Sequence, residues 1–150
     1  MSSVAVRTTF KNFLTANAPT ENLIDMSGHY EDVEDLLDQS GVGMGDPWIG
    51  LNFIPNDEIG ITVPATNDSG KYRESGIIQV HVVDIAKLAV SDSILARCET
   101  LRNLLRGRRI TDLKIEGVTP PSFEAGTTLE FEAGFISATF IVTYELDFDL

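Results

Sequence analysis

Cysteine is nearly absent from this 150-residue chain, and histidine almost as scarce: there is one cysteine, Cys98, and there are two histidines, His29 and His81. A lone cysteine excludes an intramolecular disulfide framework. Neither histidine stands in an HExxH pattern or beside paired cysteines, so the common zinc signatures are missing. No stretch approaches the roughly 18 consecutive apolar residues that a membrane-spanning helix needs. The opening residues, MSSVAVRTTFKNF, lack the basic region and apolar run of a secretory signal. A soluble protein that stays where it is made is the expectation. The most informative shortage is of positive charge: from Asn12 to Gly70 there is no lysine or arginine at all. With a net charge of -12 and a pI near 4.4, the chain does not fit a conventional nucleic-acid binder, which neutralises phosphates with a basic surface.

What is present is the composition of an ordinary globular domain, 43% hydrophobic with 23% charged residues. A single domain spanning 1–150 is expected, because at this length a folded chain hides about 70% of the surface its unfolded form exposes. The charge is arranged in blocks. Residues 1–11 carry +2, residues 12–70 carry -11, residues 71–114 carry +4 and residues 115–150 carry -7, the last block again without a base. Such blocks repel themselves in a monomer and steer ligands, whereas in a ring or stack opposite blocks can face one another across subunit boundaries. The plainer alternative is a solvated, solubilising surface.

Apolar periodicity outlines the elements. Val6, Phe10, Phe13 and Leu14 form one stripe of a helix over residues 3–16, which Asn17-Ala18-Pro19 ends because proline cannot continue the hydrogen-bond ladder. Residues 20–46 are acidic and finish in the glycine-rich GVGMG, which predicts a long loop with a short helical turn near 30–37. Trp48–Ile54, rich in β-branched and aromatic residues between Pro47 and Pro55, reads as a strand, with a weaker piece at 59–63 and a turn-rich loop at 64–72. Gly76–Asp84 is a strand with Ile78, Val80 and Val82 on one face, buried there and partly covered on the other. Ser91 is the expected N-cap of a helix to about Arg106, with Asp92 in its first turn, arginines in its last, and a stripe of Ile94, Leu95, Cys98, Leu101, Leu104 and Leu105. Gly107 is its stop. Leu113–Val118 reads as a strand and Leu129–Ala133 as a hairpin arm. From Ile136 to Phe148 apolar and mostly polar residues alternate, the pattern of one long strand. The fold class is α+β: a mainly antiparallel sheet with two amphipathic helices packed on one face, plus long loops.

Chemistry-bearing constellations are few. Cys98, inside a helical stripe, reads as a small buried apolar residue rather than a nucleophile. His81 reads as a hydrogen-bonded strand residue. His29 with Glu31 and Asp32 would make at most a weak metal site. GVGMG precedes a strand instead of linking a strand to a helix, so it reads as a linker and not a phosphate loop. The run Glu31, Asp32, Glu34 and Asp35 lacks the calcium-loop pattern and reads as a solvated face. No catalytic, metal or cofactor residue is assigned. The one basic cluster is Arg97, Arg102, Arg106, Arg108 and Arg109; the second, third and fifth fall at i, i+4 and i+7 and would share a helix face if the helix continued past Gly107. These arginines either complement the helix dipole or dock onto acidic segments of a neighbour, where a guanidinium pairs with a carboxylate in bidentate fashion.

The order of a helix, an acidic loop, PWIGLNFIP, ESGIIQVHVVD, the helix SDSILARCETLRNLLRG, LKIEGVTPPSFEAG and a final strand ATFIVTYELDF resembles the tail terminator proteins of long-tailed bacteriophages. Val142-Thr143-Tyr144-Glu145 carries the likeness most clearly. The resemblance covers nearly the whole chain in layout and rests on no catalytic signature, which that family lacks. It implies a non-enzymatic virion protein forming a homohexameric ring that caps the tail tube and provides the surface for joining the head. The implied partners are further copies of the chain, the tail tube protein and a head-tail connector or head completion protein, with DNA passing through the lumen without sequence-specific binding, and no membrane. Arg97, Arg102, Arg106, Arg108 and Arg109 would then be inter-subunit contacts. Glu31, Asp32, Glu34, Asp35, Glu124, Glu130 and Glu132 would face the lumen or a partner. The alternatives are another ring-forming tube or connector component, or, in a different class, a small acidic ligand-binding or enzymatic α+β domain.

Overall fold

A computed structural model describes residues 2–26, 37–38, 40–43, 46–60, 70–85, 90–123 and 135–149. Among these there are two helices, α1 (Ser2–Asn17) and α2 (Val90–Leu105), and six strands: β1 (Leu23–Asp25), β2 (Trp48–Gly60), β3 (Lys71–Ile85), β4 (Arg109–Ile110), β5 (Leu113–Val118) and β6 (Phe135–Asp149). The strands form a single sheet in the order β1-β2-β3-β6-β5-β4. Every pairing is antiparallel except the short parallel pairing of β1 with β2. The fold is α+β, as the periodicities predict.

The sheet is built around its two longest strands. β3 and β6 pair without interruption from Lys71 opposite Asp149 to Ile85 opposite Phe135. Strict alternation sends Ile78, Val80 and Val82 of β3, and Ala138, Phe140, Val142, Tyr144 and Leu146 of β6, to one face, where they are buried. Both helices lie on that face. Val6, Phe10 and Leu14 of α1 and Ile94, Cys98, Leu101 and Leu105 of α2 join Ile49, Leu51 and Phe53 of β2 and Leu113 and Ile115 of β5 in one core. Phe10 meets Phe53 edge to face, the geometry the ring quadrupoles prefer. A second, smaller cluster forms on the opposite face, where Trp48 and Val83 are covered by Ile24, Met26 and Leu37, with Val42 against them. That half-coverage follows from the alternation of β3, whose second face carries His81 and Val83 as well as Gln79.

Several boundaries differ from expectation, each for a local reason. β2 does not stop at Pro55 but runs on to Gly60. A proline is tolerated there because β1 accompanies β2 only as far as Leu51, so from Ile54 onward no described strand lies along the outer side of β2 and the missing N–H faces no partner strand. β1 lies inside the span 20–46 expected to be loop. Its three residues, LID, take their register from Asn22, whose carbonyl accepts the Ile49 N–H at 2.8 Å and whose side chain donates to the Pro47 carbonyl at 3.0 Å. Lys71 and Tyr72, placed in a loop by their turn-rich neighbours, begin β3. Helix α2 begins at Val90, one residue before the expected cap, so Ser91 lies in its first turn. It ends at Leu105, and Gly107 adopts the left-handed φ of 60° that closes a helix, with the Arg108 N–H returning to the Leu105 carbonyl at 3.1 Å. The helix therefore does not pass Gly107, and Arg102, Arg106 and Arg109 do not share a helix face. The helical turn near 30–37 lies, apart from Leu37, outside the described residues. So do residues 61–63 of the weaker strand piece and the arm at 129–133.

Candidate functional site

The arginine cluster divides into an interior pair and an exposed corner. Arg97 projects from α2 towards the loop after α1, where its Nε and Nη2 donate to the two carboxylate oxygens of Glu21 at 3.0 and 2.6 Å and its Nη1 donates to the Val83 carbonyl at 3.2 Å. This bidentate pair ties α2, β3 and the end of α1 together within one subunit. Arg97 is half-buried and Arg102 buried; the Arg102 Nη1 donates to Glu99 at 2.9 Å, while its Nε has no partner among the described residues. Arg106, Arg108 and Arg109 stand where α2 turns into the β4–β5 hairpin, and all three are exposed. Arg106 reaches Glu99 at 3.5 Å and donates to the Asn103 side-chain Oδ1 at 3.1 Å. Arg108 lies over the Phe13 ring at 5.5 Å and donates to the Leu104 carbonyl. Arg109 donates to the Thr111 carbonyl. Among the described residues, neither Arg108 nor Arg109 has a carboxylate within 4 Å, although Arg109 stands close enough to Asp147 to help hold its pKa down. The hairpin holding this corner is tight: Thr111, between Ile110 and Leu113, takes a φ of 54°, a left-handed conformation rare for a β-branched residue.

The seven acids expected to face a lumen or partner, Glu31, Asp32, Glu34, Asp35, Glu124, Glu130 and Glu132, lie outside the described residues, as does His29. Two others come to the fore instead. Asp57 and Glu58 are exposed on β2, on the stretch where no described strand covers its outer side, and among the described residues neither pairs with a cation. Both belong to the base-free block 12–70, but a block of eleven acids does not single out two. Glu21 was equally hidden, since its partner Arg97 is 76 residues away in sequence.

The remaining titratable groups of the described interior are shut away from solvent. His81 is fully buried, with Nδ1 2.8 Å from the Thr139 hydroxyl and no partner at Nε2 among the described residues. Burial pushes its pKa down to about 4, so it is neutral at physiological pH. Cys98 is a buried free thiol whose pKa burial pushes up to about 11. A thiol held protonated in this way is a poor nucleophile. Where the covered core ends, the Tyr144 hydroxyl donates to Glu74 at 2.9 Å and the Arg7 guanidinium lies 5.9 Å over the Phe53 ring. Tyr144 is driven upward in pKa by burial first and by Glu74 second. With Glu74 3% and Tyr144 1% exposed, this pair has no face to offer a substrate. Gly76 makes room for it: a β-carbon there would stand 2.8 Å from the tyrosine oxygen and 2.6 Å from the Ile54 carbonyl. One open cleft of about 360 Å³ lies between the end of α1 and the first half of α2, lined by Pro19, Glu21, Ser93, Ala96, Arg97 and Thr100. Its two charged groups are already paired with each other. Among the described residues no three His, Cys, Asp or Glu side chains converge as a metal site would require.

No family profile matches the sequence, and no curated protein matches it. Similarity appears among solved structures, of which 15 chains match. One, a hypothetical protein, is 18% identical, aligns over 99% of this chain and 97% of its own length, and superposes with a TM-score of 0.52. At that identity the likeness concerns the fold alone.

Proposed function

We propose that this chain is a virion structural protein, the subunit of a homohexameric ring that terminates the tail tube of a long-tailed bacteriophage and provides the surface for head joining. The observation that carries the reading is the segregation of unmatched charge on a single sheet. Arg108 and Arg109, in no described ion pair, stand at the corner beside β4, and Asp57 and Glu58, likewise in none, lie on the uncovered outer side of β2 across the sheet. Surfaces of opposite sign on opposite sides of one subunit suit repetition around a closed ring. The sequence likeness to tail terminators supplies the biological setting. In it the ring sits at the head-proximal end of the tail, contacts the tail tube protein and a head-tail connector, and lets DNA pass through an acidic lumen that repels phosphate. The acids Glu31, Asp32, Glu34, Asp35, Glu124, Glu130 and Glu132 are proposed for that lining or for partner contacts. The protein does no chemistry of its own.

Native mass spectrometry and negative-stain imaging of the purified chain test this. Rings of about six copies support it, and a single ring per completed tail, against many stacked copies, separates a terminator from a tube protein. A monomer that binds a small molecule in the cleft between α1 and α2 would instead favour the ligand-binding class.

A further inference from the structure

The registers of the sheet place Asp57 and Arg109, neither of them in a described ion pair, on one line. Asp57 of β2 lies opposite Ser75 of β3, Ser75 opposite Glu145 of β6, Glu145 opposite Lys114 of β5, and Lys114 opposite Arg109 of β4. This single cross-strand row begins at an acid on one edge of the sheet and ends at a guanidinium on the other, about 19 Å away at the usual strand spacing. The register irregularity between Pro55 and Asp57 is what puts Asp57 in the row. Without it, alternation from Phe53, buried against the helices, would turn Asp57 to the helix side; with it, Asp57 shares the face of Ser75 and Glu145, which the helices leave uncovered.

We infer that copies of this chain associate edge to edge and head to tail, the β4 corner of one copy seating Arg109, with Arg108 beside it, against Asp57 and Glu58 on the β2 edge of the next. The inference deepens the ring reading and rests on it. A shift of one sheet width along the row is enough to bring Arg109 to Asp57 with the rows of the two sheets aligned, and the twist of each sheet turns successive copies so that the series can close. A two-fold arrangement is disfavoured by the same residues, because pairing two β2 edges sets Asp57 and Glu58 against themselves and pairing two corners sets arginines against arginines. The β2 edge is guarded against indiscriminate strand addition, since Pro55 removes a donor and the two carboxylates repel other acidic edges. The occupant it accepts is a cationic one, and the described surface of this chain carries such a corner at the matching height.

The test is a charge exchange at two exposed positions, Asp57→Lys and Arg109→Glu, read by sedimentation velocity and native mass spectrometry at low and high salt. Each variant alone should associate about tenfold more weakly than the wild type, consistent with a like-charge contact replacing an opposite one. An equimolar mixture of the two should recover assembly, because every junction in an alternating series then joins lysine to glutamate or arginine to aspartate. Unchanged thermal melts confirm that both variants fold. Wild-type rings that the Arg109→Glu variant forms equally well would overturn this interface and leave the ring reading standing. A wild type that stays monomeric up to its solubility limit would overturn both.

Discussion

Lowering the pH from 7 to 4.5 should destabilise the fold through His81 alone by an amount large enough to isolate. The ring is fully buried and neutral, its pKa pushed down to about 4 from the ordinary 6.5 by desolvation. Between those values the unfolded chain holds a proton on this residue that the folded chain refuses, so stability is full above pH 6.5, falls as the pH drops towards 4, and falls no further below it. The whole window of 2.5 pKa steps corresponds to about 3 kcal/mol, most of it spent by pH 4.5. Carboxylates also titrate in this range, so the measurement is a difference: urea unfolding of the wild type and of His81→Gln at pH 7, 6, 5 and 4.5. Glutamine retains an amide able to meet the Thr139 hydroxyl and carries no titrating group. The wild type should lose about 2 kcal/mol more than the variant across the series. Equal slopes for the two proteins would refute the claim that His81 is held neutral by burial.

Two further outcomes follow from the packing. Glu21→Gln should cost about 3 kcal/mol, because it leaves the half-buried Arg97 guanidinium without its carboxylate, and a double-mutant cycle with Arg97→Met should show the loss to be largely non-additive; additive effects would sink the bidentate pairing as an energetic unit. Gly50→Ala should destabilise by about 1–3 kcal/mol, since the Met26 sulfur occupies the space its β-carbon needs and the Trp48 ring lies 2.9 Å from it. A chemical-denaturation midpoint indistinguishable from the wild type would mean that the small cluster over Trp48 yields without cost.

How far the sequence foretells this molecule depends on how much of each element's determinant is local. The alternation of β6 and β5 and the stripes of α1 and α2 are local patterns, and they place those elements to within a residue or two. β1 and β4 have three and two residues and no periodicity to read; they exist because a neighbouring strand supplies the partner ladder. β2 outruns Pro55 because its outer side is uncovered there, which is a property of sheet order and not of the dipeptide. The same holds for the charges. The arginine cluster is visible as a run, but its division into an inward-facing pair, one half-buried and one buried, and an exposed corner depends on where α2 stops and on Glu21, far away in the chain. Asp57 reaches the row of Arg109 only through a bulge, and a bulge leaves no mark in a pattern of apolar residues.

The position of β6 bears on when a subunit comes into being. It is the last of the described strands to leave a ribosome, yet it lies between β3 and β5 in the middle of the sheet. A nascent chain complete through Val118 holds β1-β2-β3 and the β4–β5 hairpin as two separate fragments, and the face of each that will pack beneath the helices is unfinished. Only the final strand joins them, through pairings with β3 whose partners, from Ile85 opposite Phe135 to Lys71 opposite Asp149, stand 50 to 78 residues apart in the chain. Folding of this kind is governed by long-range closure and proceeds late and together. The acidic edge and the arginine corner therefore take up their opposed positions only once translation has passed β6, so a polysome carrying many unfinished copies displays no assembled pair of edges through which they could polymerise.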